Sequence, residues 1–214
     1  DVTLIDVAKP AVEAINAGGI VIEQKDGTVA TVPVKATTDP ASVGPVDLIL
    51  NFVKCYHTEP AINSAKPMLG PDTAILTLQN GWGNADRIAA IAGKPRVMVG
   101  LTYHSATLLG PGRVKHTGIG PTHAGELDGT MSPRLEAATA AFRKAGIDLT
   151  PSPHILDEVW NGVDAGFRAR LEATLGRLAE GGTTLLLIAH HESDLPALVV
   201  RRFTLDAGRL HRTR

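Results

Sequence analysis

Val46-Asp47-Leu48-Ile49-Leu50-Asn51-Phe52-Val53 is an apolar run broken only by Asp47 and Asn51. A run of that length and composition is what a strand covered on both faces of a parallel sheet requires. The segments after it continue the theme. Thr58 to Met68 reads as a helix, Thr73 to Leu78 as a strand, Asn84 to Ile91 as a helix and Arg96 to Thr102 as the next strand. Strands alternating with helices in this order imply an α/β fold with a mostly parallel sheet and right-handed crossovers.

Working outward, Val2 to Asp6 is a short apolar strand pattern. Lys9-Pro10 then opens a helix through Val12, Ile15 and Ala17, closed by Gly18-Gly19. Ile20 to Ile22 and Val29 to Val32 flank Asp26-Gly27 and read as a hairpin. Beyond Thr102, Arg113 to His116 and Pro121 to Ala124 read as a second hairpin that extends the sheet. Residues 133–145 form an Ala-rich helix stopped by Gly146, and Ile147 to Thr150 is a further short strand. After position 161 the pattern is a helix from Gly166 to Ala179, a strand from Thr183 to Ala189 and a terminal hairpin across Leu198–Leu205 and Ala207-Gly208-Arg209. No internal repeat is present.

Composition narrows the function classes. The 214 residues carry 21 Lys and Arg against 22 Asp and Glu, so no global charge draws the chain to nucleic acid. With 43% hydrophobic and 20% charged residues it has the make-up of a soluble globular protein. No apolar run approaches the roughly 20 residues needed to cross a bilayer, so no membrane insertion is expected. The single cysteine, Cys55, excludes an internal disulfide framework and suits a reducing cytoplasm. Lys54 beside it favours the thiolate, but the expected state of Cys55 is a buried, inert thiol. No histidine, cysteine or acidic spacing indicates a metal site.

Four stretches define a resemblance when taken in order: Val2-Thr3-Leu4-Ile5-Asp6, Asp47 through Lys54, Leu78-Gln79-Asn80-Gly81-Trp82-Gly83, and Gly100-Leu101-Thr102-Tyr103-His104-Ser105-Ala106. Residues 1 to about 160 resemble ketopantoate reductases, nicotinamide-dependent enzymes that reduce 2-dehydropantoate, a small 2-oxo acid, to pantoate. The resemblance implies a Rossmann-like domain holding NAD or NADP through Asp6, Lys54, Asn80 and Ala106, with Asn80 also reaching the substrate. Asp6 ends a strand where an acidic side chain accepts hydrogen bonds from ribose hydroxyls. The family's phosphate-binding members commonly place Arg one position later; here that residue is Val7, which favours NAD. His104 and His123 are read as structural or solvated.

The same resemblance marks what is missing. A dinucleotide fold brings the pyrophosphate onto a helix N-terminus through a first strand and a Gly-x-Gly-x-x-Gly turn, and no such turn occurs in the chain. The expected fold is therefore a truncated Rossmann-like sheet lacking its first strand, with an exposed edge that invites homo-oligomer pairing. The family's proton-donating lysine lies two residues beyond a Glu-x-Trp motif. Glu158-Val159-Trp160 fits that motif, but the lysine position is Gly162, so no catalytic residue is assigned.

From about residue 154 the chain also resembles the end of an ATP-binding cassette subunit. Ile155-Leu156-Asp157-Glu158 would be its magnesium and water-polarising pair, Asp164 would lie in its D-loop, and His190 after Thr183–Ala189 would be its switch histidine. The expected domains are thus 1–160, reductase-like, and 161–214, an ATPase-like α/β tail, overlapping at 154–161. No Gly-x-x-x-x-Gly-Lys-Ser/Thr phosphate loop exists, which argues against ATP hydrolysis. A non-catalytic interaction fragment is the further alternative.

Overall fold

A computed structural model of the chain describes residues 1–81, 83–156, 173, 176–177, 180–181, 202–206 and 209–213. In chain order the first unit, Asp1–Gly162, opens with β1 (Thr3–Ile5), α1 (Lys9–Gly18), β2 (Ile20–Glu23), β3 (Val29–Val32), β4 (Lys35–Thr37) and β5 (Val46–Asn51). It continues with α2 (Thr58–Ser64), β6 (Leu69–Thr77), α3 (Asn84–Ala92), β7 (Val97–Thr102), β8 (Ser105–Gly110), β9 (Arg113–Gly118), β10 (Thr122–Glu126), α4 (Pro133–Lys144) and β11 (Leu149–Pro151).

The central sheet has the order β11-β10-β7-β6-β5. Only the β10–β7 pairing is antiparallel; β11 with β10, β7 with β6 and β6 with β5 are parallel. The expectation of a mostly parallel α/β sheet therefore holds. One face of this sheet packs Leu76, Leu78, Met98 and Ala124 against Leu135, Ala138 and Phe142 of α4. The other packs Ile75 and Val97 against Ile62 of α2 and Ile88 of α3. Leu135, Ala138, Thr139 and Phe142 are buried at the three- and four-residue spacing of a single helix face. Ser132 caps that helix by accepting from the Leu135 N–H at 3.2 Å, with Pro133 in the first turn.

The sheet is close-packed where β7 crosses β10. A Cβ placed on Gly100 would lie 2.5 Å from the His123 carbonyl oxygen and 2.5 Å from a Leu78 methyl. Glycine is needed here for approach rather than for turning.

Two smaller sheets complete this unit. β1 and β4 pair in parallel, and the order β3-β2-β9-β8 makes a four-stranded sheet. α1 covers the first pair, with Val12 and Ile15 buried against Ala36, Leu4 and Val34. Its Asn16 side chain donates to the Ala36 carbonyl and accepts from the Ala36 N–H, each at 2.8 Å. In the second unit, Val163–Arg214, β12 (Arg202–Asp206) and β13 (Arg209–Thr213) form an antiparallel hairpin with Leu205 opposite Leu210.

Several expectations need correction. β5 is less enclosed than expected: Leu48 packs on one face and Ile49 on the other, but it is the last strand in its sheet and Leu50 is 43% exposed. The apolar run is real, but β5 has a strand on one side only. The hairpin expected across Arg113–Ala124 does not form. β9 pairs instead with β8 and β2, whereas β10 joins the central sheet beside β7. β8 and β4 are strands that the sequence did not disclose. α2 ends at Ser64, and Lys66–Met68 is a 3-10 turn, because Pro67 cannot continue an α-helical hydrogen-bond ladder.

Candidate functional site

β5, β6 and β7 run parallel, with Asn51 opposite Thr77 and Thr77 opposite Val99. Three residues further along each segment come Lys54, Asn80 and Thr102. Lys54 and Asn80 follow the carboxyl ends of β5 and β6, and Thr102 is the last residue of β7, at the same edge of the sheet. In open α/β sheets ligands sit at that edge. Lys54 and Asn80 are exposed there, and so is Ala106, four residues after Thr102 in β8.

Local hydrogen bonds fix this edge. Gln79 is the hub. Its Oε1 accepts from Asn51 at 2.7 Å and from Thr77 at 3.0 Å, and its Nε2 donates to the Val53 carbonyl and to Thr58 at 3.0 Å. Asn51 and Thr58 are buried, so these bonds satisfy groups that water does not reach. The clamp sets the backbone that presents Lys54 and Asn80. After Asn80, Gly81 and Gly83 take φ of +94° and +85°, the left-handed turn that only glycine adopts without strain, and Asn84 starts α3. Asn84 donates to the Asn80 and Gly81 carbonyls at 3.1 and 3.2 Å, leaving the Asn80 side chain outside the turn's own bonding. Sequence reading selected Asn80 and passed over Gln79, three of whose four partners lie 21 to 28 residues away.

Asp6 follows β1 and is exposed. Its Oδ1 accepts from the Ala8 N–H at 2.8 Å, which ties the carboxylate to the approach of α1. Cys55 corrects an expectation: it is exposed, not buried, because the chain leaves the sheet after Asn51 into the 3-10 turn Cys55–His57. Phe52 and Tyr56 on the same exit are 58% and 71% exposed.

Beside this edge lies a pocket of about 260 Å³ whose walls include Phe52, Leu78, Thr102, His104, Ala106 and His116. Of the four cofactor candidates Ala106 is one of its walls, and the walls Phe52 and Leu78 stand two residues before Lys54 and Asn80. Its histidines belong to a hydrogen-bonded series. His104 Nδ1 is 3.1 Å from His116 Nε2, and His116 Nδ1 is 3.0 Å from Gln24 Oε1. The imidazoles stack with centroids 5.3 Å apart. His104 was expected to be structural or solvated, and it is held within this series; His116 and Gln24 were not anticipated. Among the described residues no group of three or more His, Cys, Asp and Glu is arranged to hold a metal ion. Asp157, Glu158, Gly162, Asp164 and His190 lie outside the described residues.

A mostly parallel sheet with helices packed on both faces defines a Rossmann-like α/β domain. Residues 1–129 match the ketopantoate reductase PanE/ApbA family. The chain belongs to that family, a family of oxidoreductases. It is 34% identical over 165 residues to a 2-dehydropantoate 2-reductase of Halobacterium salinarum, covering 76% of this chain and 53% of that protein. It is 26% identical over 199 residues to the 2-dehydropantoate 2-reductase of Streptococcus pyogenes serotype M6, covering 90% and 64%. A 90% share extends past residue 161, into the stretch expected from sequence to be ATPase-like, and these relatives give that expectation no support. Among solved structures, 2-dehydropantoate 2-reductase from Porphyromonas gingivalis superposes with a TM-score of 0.68 at 26% identity, covering 86% of this chain and 62% of that one. The chain thus spans about half to two thirds of the length of these relatives. No helix among the described residues is long and apolar enough to cross a membrane.

Proposed function

We propose that the chain supplies the dinucleotide-binding half of a ketopantoate-reductase-like oxidoreductase. Lys54 and Asn80 meet a cofactor at the strand ends, Ala106 contacts it through its backbone, and Asp6 reaches the adenosine ribose. The observation that carries this reading is that Lys54 and Asn80, both exposed, each follow by three residues the paired ends, Asn51 and Thr77, of adjacent parallel strands. The residues present suit part of a dinucleotide: an ammonium for oxyanions, a carboxamide for donor and acceptor contacts, and a carboxylate with one oxygen left after its bond to Ala8. When bound, the cofactor supplies the hydride for reduction of a 2-oxo acid, and Asn80 also contacts that substrate.

The chain itself is proposed to be inactive in ketone reduction, because Gly162 offers no proton at the position where the family places lysine. NAD is favoured over NADP because Val7, rather than an arginine, follows Asp6. NADH and NADPH fluorescence titrations test the binding. NADH is expected to bind more tightly than NADPH, and Lys54→Ala and Asn80→Ala are each expected to weaken NADH. Equal NADH affinity in wild type and both variants would reject the site. Ordinary turnover of 2-dehydropantoate would reject the Gly162 argument. For the tail, the ATPase-like reading of Asp157, Glu158, Asp164 and His190 rests on sequence alone; magnesium-dependent ATP turnover is its test.

A second reading, a non-catalytic fragment that pairs through its sheet, is favoured by two open edges. Among the described residues β1 pairs only with β4, and β5 ends its sheet. Such edges are templates for another strand, including that of a second copy. A dimer in solution that is lost on Thr3→Pro supports this reading; a monomer at all concentrations rejects it.

A further inference from the structure

We propose that His104 is a binding residue that offers a bare Nε2 lone pair to the pocket, where it accepts a hydrogen bond from the carboxamide N–H of a reduced nicotinamide. Gln24 and His116 are the positioning residues that impose this state. The proposal rests on the cofactor reading above and adds to it an acceptor and a mechanism that orients it.

The argument follows the donors and acceptors along the series. With Oε1 as the Gln24 atom 3.0 Å away, we assign the His116 hydrogen to Nδ1, because a carboxamide oxygen only accepts. A neutral imidazole then has a lone pair on Nε2. His104 Nδ1, 3.1 Å from that lone pair, must be the donor. A neutral His104 with hydrogen on Nδ1 has none on Nε2. On that assignment one oxygen orders the tautomers of two rings, as the hydrogen bond made by one ring nitrogen sets the state of the other.

The final atom is accessible. No partner to His104 Nε2 occurs among the described residues, and no unpartnered side-chain nitrogen or oxygen is buried among them. His104 is itself a wall of the pocket that Phe52, Leu78 and Ala106 share. The hydroxyl-bearing walls, Thr102, Thr122 and Ser105, bond one another or Thr117, and a lone acceptor beside them and the apolar walls selects a flat ligand with an N–H or O–H at its rim. The nicotinamide ring with its carboxamide has that chemistry. The orienting residue comes from a distant part of the chain: Gln24 follows β2, 92 residues before His116 in β9, and the β2–β9 pairing holds them together.

The test uses the full chain in two arms. Long-range ¹H–¹⁵N correlation spectra at neutral pH should give both His104 and His116 as the Nδ1–H tautomer, unchanged in Gln24→Glu, where a carboxylate can only accept. An Nε2–H tautomer at His104 overturns the proposal. The second arm compares NADH with reduced 3-acetylpyridine adenine dinucleotide, whose acetyl group has no N–H to donate. Wild type should prefer NADH by about 3- to 10-fold, the worth of one neutral hydrogen bond. That preference should shrink in His104→Phe and return in part in His104→Gln, which restores an acceptor. An equal preference in wild type and both variants overturns this assignment while leaving the cofactor site intact. If neither dinucleotide binds wild type, the cofactor reading falls and takes this proposal with it.

Discussion

Gln79 donates from Nε2 to the carbonyl oxygen of Val53, so the residue before Asn80 grips the residue before Lys54. The two ligand candidates are therefore positioned by one side chain, which also holds Asn51 and Thr58. Gln79→Leu should leave the buried Asn51 amide without its partner and cost about 2 to 3 kcal/mol, measured by urea unfolding. It should also weaken NADH without removing either contact residue. A variant as stable as wild type, with NADH affinity unchanged, would show that the clamp positions nothing.

The end of β10 is fastened to the start of α4 by Glu126. This carboxylate is 6% exposed, accepts from Arg134 Nε at 2.7 Å and from Arg134 Nη2, and also accepts from Ser132 Oγ. Hydrogen bonding to Glu126, with its charge adding, pushes the Arg134 guanidinium above its ordinary value. Arg134→Ala strands the carboxylate in the protein and should cost about 2 to 4 kcal/mol by chemical denaturation, Arg134 being itself partly exposed. Arg134→Lys should fall between, since an ammonium keeps the charge and loses the fork. Full stability in Arg134→Ala would remove the pair from the account of the fold.

Acid should loosen the four-stranded sheet before it unfolds the chain. Lys115 in β9 lies 2.5 Å from Glu23 in β2, and its hydrogen bond, then its charge, lowers the Glu23 carboxyl below its ordinary value. A carboxyl depressed in the folded state contributes above its unfolded pKa and loses that contribution as pH falls through the folded one. The link should thus persist down to about pH 4, the ordinary glutamate range, and disappear below it. Amide exchange across Ile22 and Val114 should accelerate in that window. Glu23→Gln should show no such pH step. A step of the same size in that variant would place its origin elsewhere, with Asp26 and Asp128, both also lowered by their bonds to Thr28 and Thr130, the next groups to replace.

The succession from Val46 to Thr102 was legible because buried strands and one-sided helices leave apolar periodicities in adjacent residues. The row of Lys54 and Asn80 was legible for the same reason, each standing a fixed distance past such a strand. β4 and β8 were not: Lys35–Thr37 is only three residues long and Ser105–Gly110 is largely exposed, and their strand character comes from partners elsewhere. The mistaken hairpin at Arg113–Ala124 assumed that neighbours in sequence pair. Here Gly118 and Gly120 fit closely against Ser105 and Tyr103, and the chain passes from one sheet to the other between β9 and β10. Gln24 and His116, brought together across 92 residues, had no local signature at all.

Asn16 closes the outer side of β4. With Leu4 opposite Ala36 in the parallel pair and the Asp6 N–H bonded to the Thr37 carbonyl, the Ala36 amide and carbonyl turn away from β1. Asn16 meets both groups at 2.8 Å, as a neighbouring strand would. Asn16→Ala should open that edge at a cost of about 1 to 2 kcal/mol, because water can reach part of what the side chain covered. Asn16→Asp should cost at least as much, since it keeps the acceptor for the Ala36 N–H but sets a carboxylate oxygen against the Ala36 carbonyl. An opened edge also invites strand pairing between molecules. Faster exchange of the Ala36 amide in both variants, with concentration-dependent light scattering, is the expected result; unchanged exchange at Ala36 would mean that the N–H is protected by something other than Asn16.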